Sequence, residues 1–205
     1  AISDVVAAGG VPKAITVALL LPPETNVGFV LEVMRGVERA ALRYGAMVAG
    51  GDTKQNPKFA MVVTAIGSVR RDRRLGRSGA RAGDALVVTG HLGSMLLGTI
   101  IARKKVECSS GARVVLDRAL TEQQPPFGLG RAFADDQVAN ACMDISDGLS
   151  SALFSLCTTS GVGAFIDEGR IPVHPEVAEL AKGLSPREMQ LALVGGDLKY
   201  LYAIP

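Results

Sequence analysis

A change of hydrophobic period near the N-terminus constrains this chain most. Ile15–Leu21 is an almost unbroken apolar run closed by Pro22-Pro23, the pattern of a buried strand. From Phe29 to Tyr44 apolar residues then recur at 30, 33, 34, 37, 40 and 41, the spacing of one helix face, and Gly45 stops the run. Met47–Ala49 reads as a short strand running into an acidic turn, Gly50-Gly51-Asp52-Thr53, and Phe59–Val69 as a long β-branched strand. A strand, a helix and two further strands in succession make the fold α/β (α+β), with mixed sheets packed by helices.

The remaining elements are read the same way. Ser3–Gly10 is a short helix capped by Ser3, and Arg70–Asp84, with arginines at 70, 71, 73, 74, 77 and 81, is a surface loop. Ala85–Thr89 is a strand, and Ser94–Lys104 a helix entered through Gly90-His91-Leu92-Gly93. Val106–Gly130 shows no clear element, and Gln123-Gln124-Pro125-Pro126 is an extended connector that sets a boundary between domains 1–123 and 124–205. Beyond it come a helix near Phe133–Ala141, a short strand with Asp144-Ile145-Ser146-Asp147-Gly148, a helix at Leu149–Ser160 and a strand at Val162–Asp167. Helices at Pro175–Gly183 and Pro186–Ala192 and a strand at Tyr200–Ile204 complete the chain.

Composition closes off several function classes. Twenty-two basic residues against 20 acidic ones leave a net charge of +2, too little to direct a nucleic-acid or membrane partner. Aromatics are 4% with no Trp, so base-stacking platforms are poorly supplied. Ala14–Leu21, the longest apolar stretch, is far short of the ~20 residues a membrane span needs. Three cysteines without CxxC spacing indicate reduced thiols rather than a disulfide framework or zinc site. With no signal-peptide pattern, the expected compartment is the cytoplasm. The chain opens at Ala1-Ile2-Ser3-Asp4 without Met and reads as a fragment.

The chemistry concentrates in acidic tripeptides. Ile-Ser-Asp occurs at 2–4 and 145–147, and Gly-Gly-Asp at 50–52 and 195–197; Asp4 to Asp52 is 48 positions and Asp147 to Asp197 is 50. Duplication and coincidence both fit this spacing. Asp4, Asp52, Asp144, Asp147 and Asp197 stand beside Ser, Gly or helix starts, where each could cap a helix or, taken together, supply the oxygen ligands that Mg²⁺ takes. The arginines offer planar donors for phosphate. His91 and His174 have no ligand or triad spacing and read as structural, and no Gly-x-Ser-x-Gly elbow, Walker loop or Gly-x-Gly-x-x-Gly is present.

Ile2-Ser3-Asp4-Val5-Val6-Ala7-Ala8-Gly9-Gly10, Gly50-Gly51-Asp52-Thr53, Arg77-Ser78-Gly79-Ala80-Arg81-Ala82-Gly83-Asp84 and Asp144-Ile145-Ser146-Asp147-Gly148-Leu149 together resemble thiamine-monophosphate kinases. These belong to the aminoimidazole ribonucleotide synthetase superfamily. The resemblance implies a two-domain fold with nucleotide and Mg²⁺ between the domains, and transfer of the γ-phosphoryl of ATP to thiamine monophosphate by a homodimer. It implies Asp4, Asp52, Asp144 and Asp147 as Mg²⁺ ligands and Gly51, Asp52, Arg77 and Ser146 as ATP contacts. Asp197 falls near the thiamine phosphate, and no side chain is assigned as a covalent catalyst. The chain departs from that pattern at Ala152, where a second Asp is expected, and at Phe127, where an Arg is. The competing readings are a non-catalytic nucleotide-binding or assembly fragment and other superfamily members, such as selenophosphate synthetase or the hydrogenase maturation factor.

Overall fold

A computed structural model describes residues 1–183 and 188–205. The chain divides into two compact units, Ala1–Arg74 and Leu75–Pro205. The division falls in the arginine-rich segment and not at Gln123-Gln124, because residues 85–88 pair with the C-terminal strand and so belong to the later unit.

In the first unit, helix α1 (Ile2–Ala7) precedes strand β1 (Val11–Leu21), helix α2 (Val27–Arg43) and strands β2 (Met47–Gln55) and β3 (Ala60–Ser68). The sheet order is β2-β1-β3, with β2 parallel and β3 antiparallel to β1. Ile15, Val17 and Leu19 of β1 are buried together with Ala41 and Ala46, and Val30, Met34 and Val37 of α2 pack on them. The 3.6-residue stripe of α2 thus meets the period-2 face of β1. Asn26 caps α2, its side chain accepting from the Gly28 amide at 2.7 Å.

Two expectations fail in this unit. Ser3 is not a cap: Ala1 holds the N-cap position, and Ser3 is buried inside α1. Gly50-Gly51-Asp52-Thr53 is strand, not turn, because β2 runs beside β1 as far as Leu21↔Gln55. The glycines serve an irregularity in that pairing, where the register slips between Ile15 and Thr16. Gly50 has φ +153°, and a β-carbon on Gly51 would lie 1.8 Å from the Val17 carbonyl oxygen.

The second unit contains strand β4 (Ala85–Val88), helices α3 (Ser94–Lys104), α4 (Ser110–Thr121) and α5 (Phe127–Asp135), strand β5 (Ala141–Asp144) and helix α6 (Leu149–Ser160). Helices α7 (Pro175–Ala181) and α8 (Glu188–Val194) and strand β6 (Tyr200–Ile204) follow. The sheet is antiparallel in the order β4-β6-β5. One core joins Leu92, Met143 and Ile145 to Leu149 and Leu156 of α6 and to Leu201. A second joins Leu97 and Ile101 of α3 to Leu116 of α4, Val177 of α7 and Leu191 of α8.

Helices α3 and α6 and strand β6 have the expected bounds. Helix α4 lies in the stretch where no element was expected; Ser109 caps it through the Ala112 amide at 3.0 Å, and Ala112 and Leu116 are buried. Phe133–Ala141 is not one helix: α5 starts six residues earlier, and Ala141 belongs to β5, where it pairs with Ala203 of β6. Val162–Asp167 forms no strand, since no strand is paired with it, and Phe165 is 91% exposed. The expected Pro186 start of the last helix lies outside the described residues. Among the described residues no helix is long and apolar enough to cross a membrane.

Candidate functional site

In the first unit, Asp4 is exposed on α1, and its carboxylate lies 3.4 Å from the Ala1 ammonium. Asp52 aligns with Ala18 in a register that puts it opposite the face covered by α2. It is fully exposed, accepts from the Thr53 amide at 2.8 Å and pairs with Lys54 Nζ at 3.2 Å. Its hydrogen bond to Lys54, then that to Thr53, hold its carboxyl below the ordinary range. Gly51 is adjacent, pressed on Val17.

In the second unit, the later Ile-Ser-Asp and Gly-Gly-Asp tripeptides touch. A β-carbon on Gly196 would lie 2.1 Å from the Ser146 carbonyl oxygen, and one on Gly148 2.5 Å from that of Leu193. The Ile145 amide donates to the Lys199 carbonyl at 2.8 Å. Asp144 is buried at the end of β5, Ser146 is half-buried and Asp147 exposed. Gly148, at φ +88°, is the N-cap of α6 and no side chain caps that helix, so Asp147 is not its cap. The two copies of each tripeptide differ in local structure. The first Ile-Ser-Asp is helix and the first Gly-Gly-Asp strand, whereas the second Ile-Ser-Asp is mainly turn and the second Gly-Gly-Asp irregular.

Arg77 is not brought to this cluster. Its carbonyl accepts from the Thr159 hydroxyl at 2.9 Å and the Ser160 hydroxyl at 3.3 Å, and Ser160 Oγ accepts from the Gly79 and Ala80 amides, both at 3.2 Å. The Arg77–Ala80 loop is therefore tied to the C-terminal end of α6, while Ser146 and Asp147 precede its N-terminal end. At 1.5 Å per residue the ends of this helix are roughly 18 Å apart.

Asp197 has a task that its sequence neighbourhood did not reveal. It is buried, with Oδ2 accepting from the Gly93 amide at 2.5 Å and Oδ1 from the Met95 amide at 3.1 Å. It caps α3 from about a hundred residues away, doing for the first turn what a local Ser or Asp usually does. Burial raises its carboxyl above the ordinary range, against the lowering by those amides.

His91 and His174, expected to be structural, lie together. Their ring centroids are 5.2 Å apart, held by a bridge between Leu92 and Val173. Partial burial, then the charges of His174 and Lys199, keep His91 below its ordinary value of 6.5. A base depressed in the folded state takes up its proton more readily when unfolded, so stability is complete above pH ~6.5 and falls as pH drops below it. Melting temperature should decline between pH 7 and 5.5, and His91→Gln should flatten that decline. An unchanged slope in the variant would remove His91 as its source.

As a test of fit to Mg²⁺, the carboxylate of Asp144 is decisive. The residue is buried, but its carboxylate oxygens are not fully enclosed, and among the described residues it accepts no hydrogen bond and meets no cation. A carboxylate with no hydrogen bond or cation of its own is free to serve as an oxygen ligand to a hard cation. Asp147 is exposed and free of a capping duty. Among the described residues no three or more His, Cys, Asp or Glu residues form a group that could hold a metal ion.

Comparison with known proteins decides the family. Residues 1–69 match the AIR synthase related protein, N-terminal domain, and residues 81–198 match the AIR synthase related protein, C-terminal domain. The chain belongs to the AIR synthase related family. Relatives in this family include the thiamine-monophosphate kinase of Pyrococcus horikoshii, 33% identical over 204 residues, covering 100% of this chain and 62% of the relative. That of Methanospirillum hungatei is 34% identical over 208 residues, covering 99% and 64%. Among solved structures, AaThiL complexed with AMPPCP and TMP superposes with a TM-score of 0.89 at 31% identity, covering 99% of this chain and 65% of that one. The chain thus spans a little under two thirds of the length of these relatives.

Proposed function

We propose that this chain carries nucleotide-, metal- and substrate-binding elements of an ATP-dependent thiamine-monophosphate kinase, which moves the γ-phosphoryl of ATP to thiamine monophosphate and releases thiamine diphosphate. What supports the reading is the likeness over 99–100% of the chain to thiamine-monophosphate kinases at 33–34% identity. Phosphoryl transfer asks a protein mainly for positioning and for charge stabilisation, which suits acidic turns and arginines better than a histidine or cysteine centre.

We assign Asp4 and Asp52 of the first unit and Asp144 and Asp147 of the second to Mg²⁺, which when bound would neutralise phosphate charge. Ser146 and the Gly51-Asp52 strand are assigned to ATP; Arg77, about one helix length away at the far end of α6, is assigned to ATP at a point apart from the Mg²⁺-held phosphates. Asp197 orders α3 beside the substrate instead of serving as a free acidic ligand. The reading includes a homodimer, supported by the apolar residues Val62 and Ile66, both exposed on the sheet face away from α2. It also includes the cytoplasm, in keeping with three free cysteines.

The test is transfer of labelled phosphate from ATP to thiamine monophosphate in Mg²⁺, read as labelled thiamine diphosphate. Nucleotide binding without transfer would favour the non-catalytic reading. Arg77→Ala should weaken Mg-ATP binding by about 1.5 kcal/mol, the loss of a charge-assisted contact. Melting temperature should hardly move, since the Arg77 side chain is exposed and the loop is anchored through backbone groups. Calorimetry and a melting curve check it; a large melting shift with unchanged affinity would make Arg77 structural.

A further inference from the structure

Two backbone segments of the second unit lie against each other, residues 144–150 leading into α6 and residues 193–199 leading out of α8. At one end the Ile145 amide donates to the Lys199 carbonyl at 2.8 Å. At the other the Ser150 hydroxyl donates to the Leu193 carbonyl at 2.5 Å. Leu193 is the next-to-last residue of α8, where carbonyls have no helical partner, and Ser150 is the second residue of α6. Among the described residues this is the one side-chain hydrogen bond between the two segments. Segment 193–199 is fixed on its other side to α3. Leu191 shares a core with Leu97 and Ile101, Asp197 accepts from the Gly93 and Met95 amides, and a β-carbon on Gly196 would lie 3.1 Å from Met95 Cε. Ser150 therefore ties the side that carries Asp144, Ser146 and Asp147 to the side that carries Asp197.

We propose that Ser150 is a positioning residue for phosphoryl transfer: through the Leu193 carbonyl it fixes where Ser146 and Asp147 stand relative to Asp197 and α3. The inference rests on the proposed kinase reading for what the two sides hold, and it adds a residue outside the acidic tripeptides. The close contacts at Gly148 and Gly196 set only the shortest distance between the segments, because contact repulsion opposes approach and not separation. Separation is opposed by the hydrogen bonds at the two ends. The one at Ile145 is made by backbone groups, so Ser150 is the tie that a side-chain change removes. Ser150 is exposed, and its hydroxyl is engaged by Leu193 rather than by any group assigned to nucleotide or metal. A small misplacement away from the reacting atoms lowers the rate of a positioned transfer, and such a loss falls on kcat while ground-state affinity is kept.

The test measures, on the full chain, initial rates of thiamine diphosphate formation, calorimetric binding of the non-transferable analogue AMPPCP in Mg²⁺, and amide hydrogen exchange of residues 144–150 and 193–197. Ser150→Ala should lower kcat at least ~fivefold, the rate equivalent of one hydrogen bond, with both KM values and the affinity for the analogue within about twofold of wild type. Ser150→Thr, which keeps the hydroxyl, should restore most of the rate. Ser151→Ala, at the next and also exposed position, should match wild type. The Mg-analogue should slow exchange in both segments of wild type but only in 144–150 of Ser150→Ala. Melting temperature should fall by no more than ~4 °C, the shift that one exposed hydrogen bond gives a chain of this size. Full kcat in Ser150→Ala, or an equal loss in Ser150→Thr, overturns the proposal. A larger fall in melting temperature together with weakened analogue binding makes Ser150 a residue of the fold alone and overturns it as well. A wild-type chain that binds the analogue without transferring phosphate fails the kinase reading, and hydrogen exchange then decides the inference: protection of both segments in Ser150→Ala overturns it. A wild-type chain that binds no analogue overturns both.

Discussion

Replacing Asp197 by Ala should destabilise the chain by about 3 kcal/mol, the largest stability effect expected of any single surface-independent carboxylate here. The carboxylate accepts from the Gly93 and Met95 amides, and removing it takes the acceptor from both donors at the start of α3. A helix cap alone is worth ~1 kcal/mol, and a hydrogen bond to a charged acceptor ~1.5–3 kcal/mol. Desolvation of the ionised carboxyl, seen in its raised pKa, subtracts from their sum. Asp197→Asn should fall between wild type and Ala, because its amide oxygen can serve one donor while its NH₂ group opposes the other. Melting curves of the three proteins at pH 7 check the order. Equal stability of wild type and Asp197→Ala would show that α3 needs no cap from this residue, and would return Asp197 to a purely ligand-facing role.

Asp197 also shows where sequence reading stopped. Local signals carried well wherever an element is stabilised by its own neighbours. Residues 30, 34, 37 and 41 of the α2 stripe face β1, and glycines mark the start of α3 and both ends of α6. They failed where the stabilising partner is distant in sequence. A cap supplied from residue 197 to residues 93 and 95 has no local signature, and Asp197 reads as a site residue from the family resemblance and its place among the acidic turns. Gly50-Gly51-Asp52 looked like a turn because glycines usually mark one, whereas here they let β2 pass an irregular register against Val17. Val162–Asp167 had strand composition but no strand to pair with. Helix α4 was legible in principle, since Ala112, Val115, Leu116 and Ala119 recur at helical spacing after a Ser cap. The tie between Arg77 and the end of α6 runs through backbone oxygen and hydroxyls, which no side-chain motif reports.

Asp144 should behave in the opposite way to Asp197. It is buried at the end of β5, beside Cys142, with no hydrogen bond to its carboxylate among the described residues. Without metal, Asp144→Asn removes a charge that makes no hydrogen bond or ion pair among the described residues, so the variant should melt at the same temperature as wild type or higher. With Mg²⁺ the sign reverses, because Asn keeps an oxygen but loses the charge that attracts a hard cation. Mg-dependent nucleotide binding should weaken at least a hundredfold, about 2.7 kcal/mol. The stabilisation that Mg-nucleotide gives the wild type in a melting experiment should shrink accordingly. Asp147→Asn supplies the control for position: Asp147 is exposed, so its loss should leave the metal-free melting temperature unchanged while still reducing Mg-dependent binding. Capping cannot account for either loss, since α6 takes no side-chain cap. Calorimetry with Mg-ATP, repeated in excess chelator, separates the two carboxylates from any effect on folding. Full Mg-dependent affinity in Asp144→Asn, together with a lower metal-free melting temperature, would mean that the buried carboxylate holds the second unit together and not a cation.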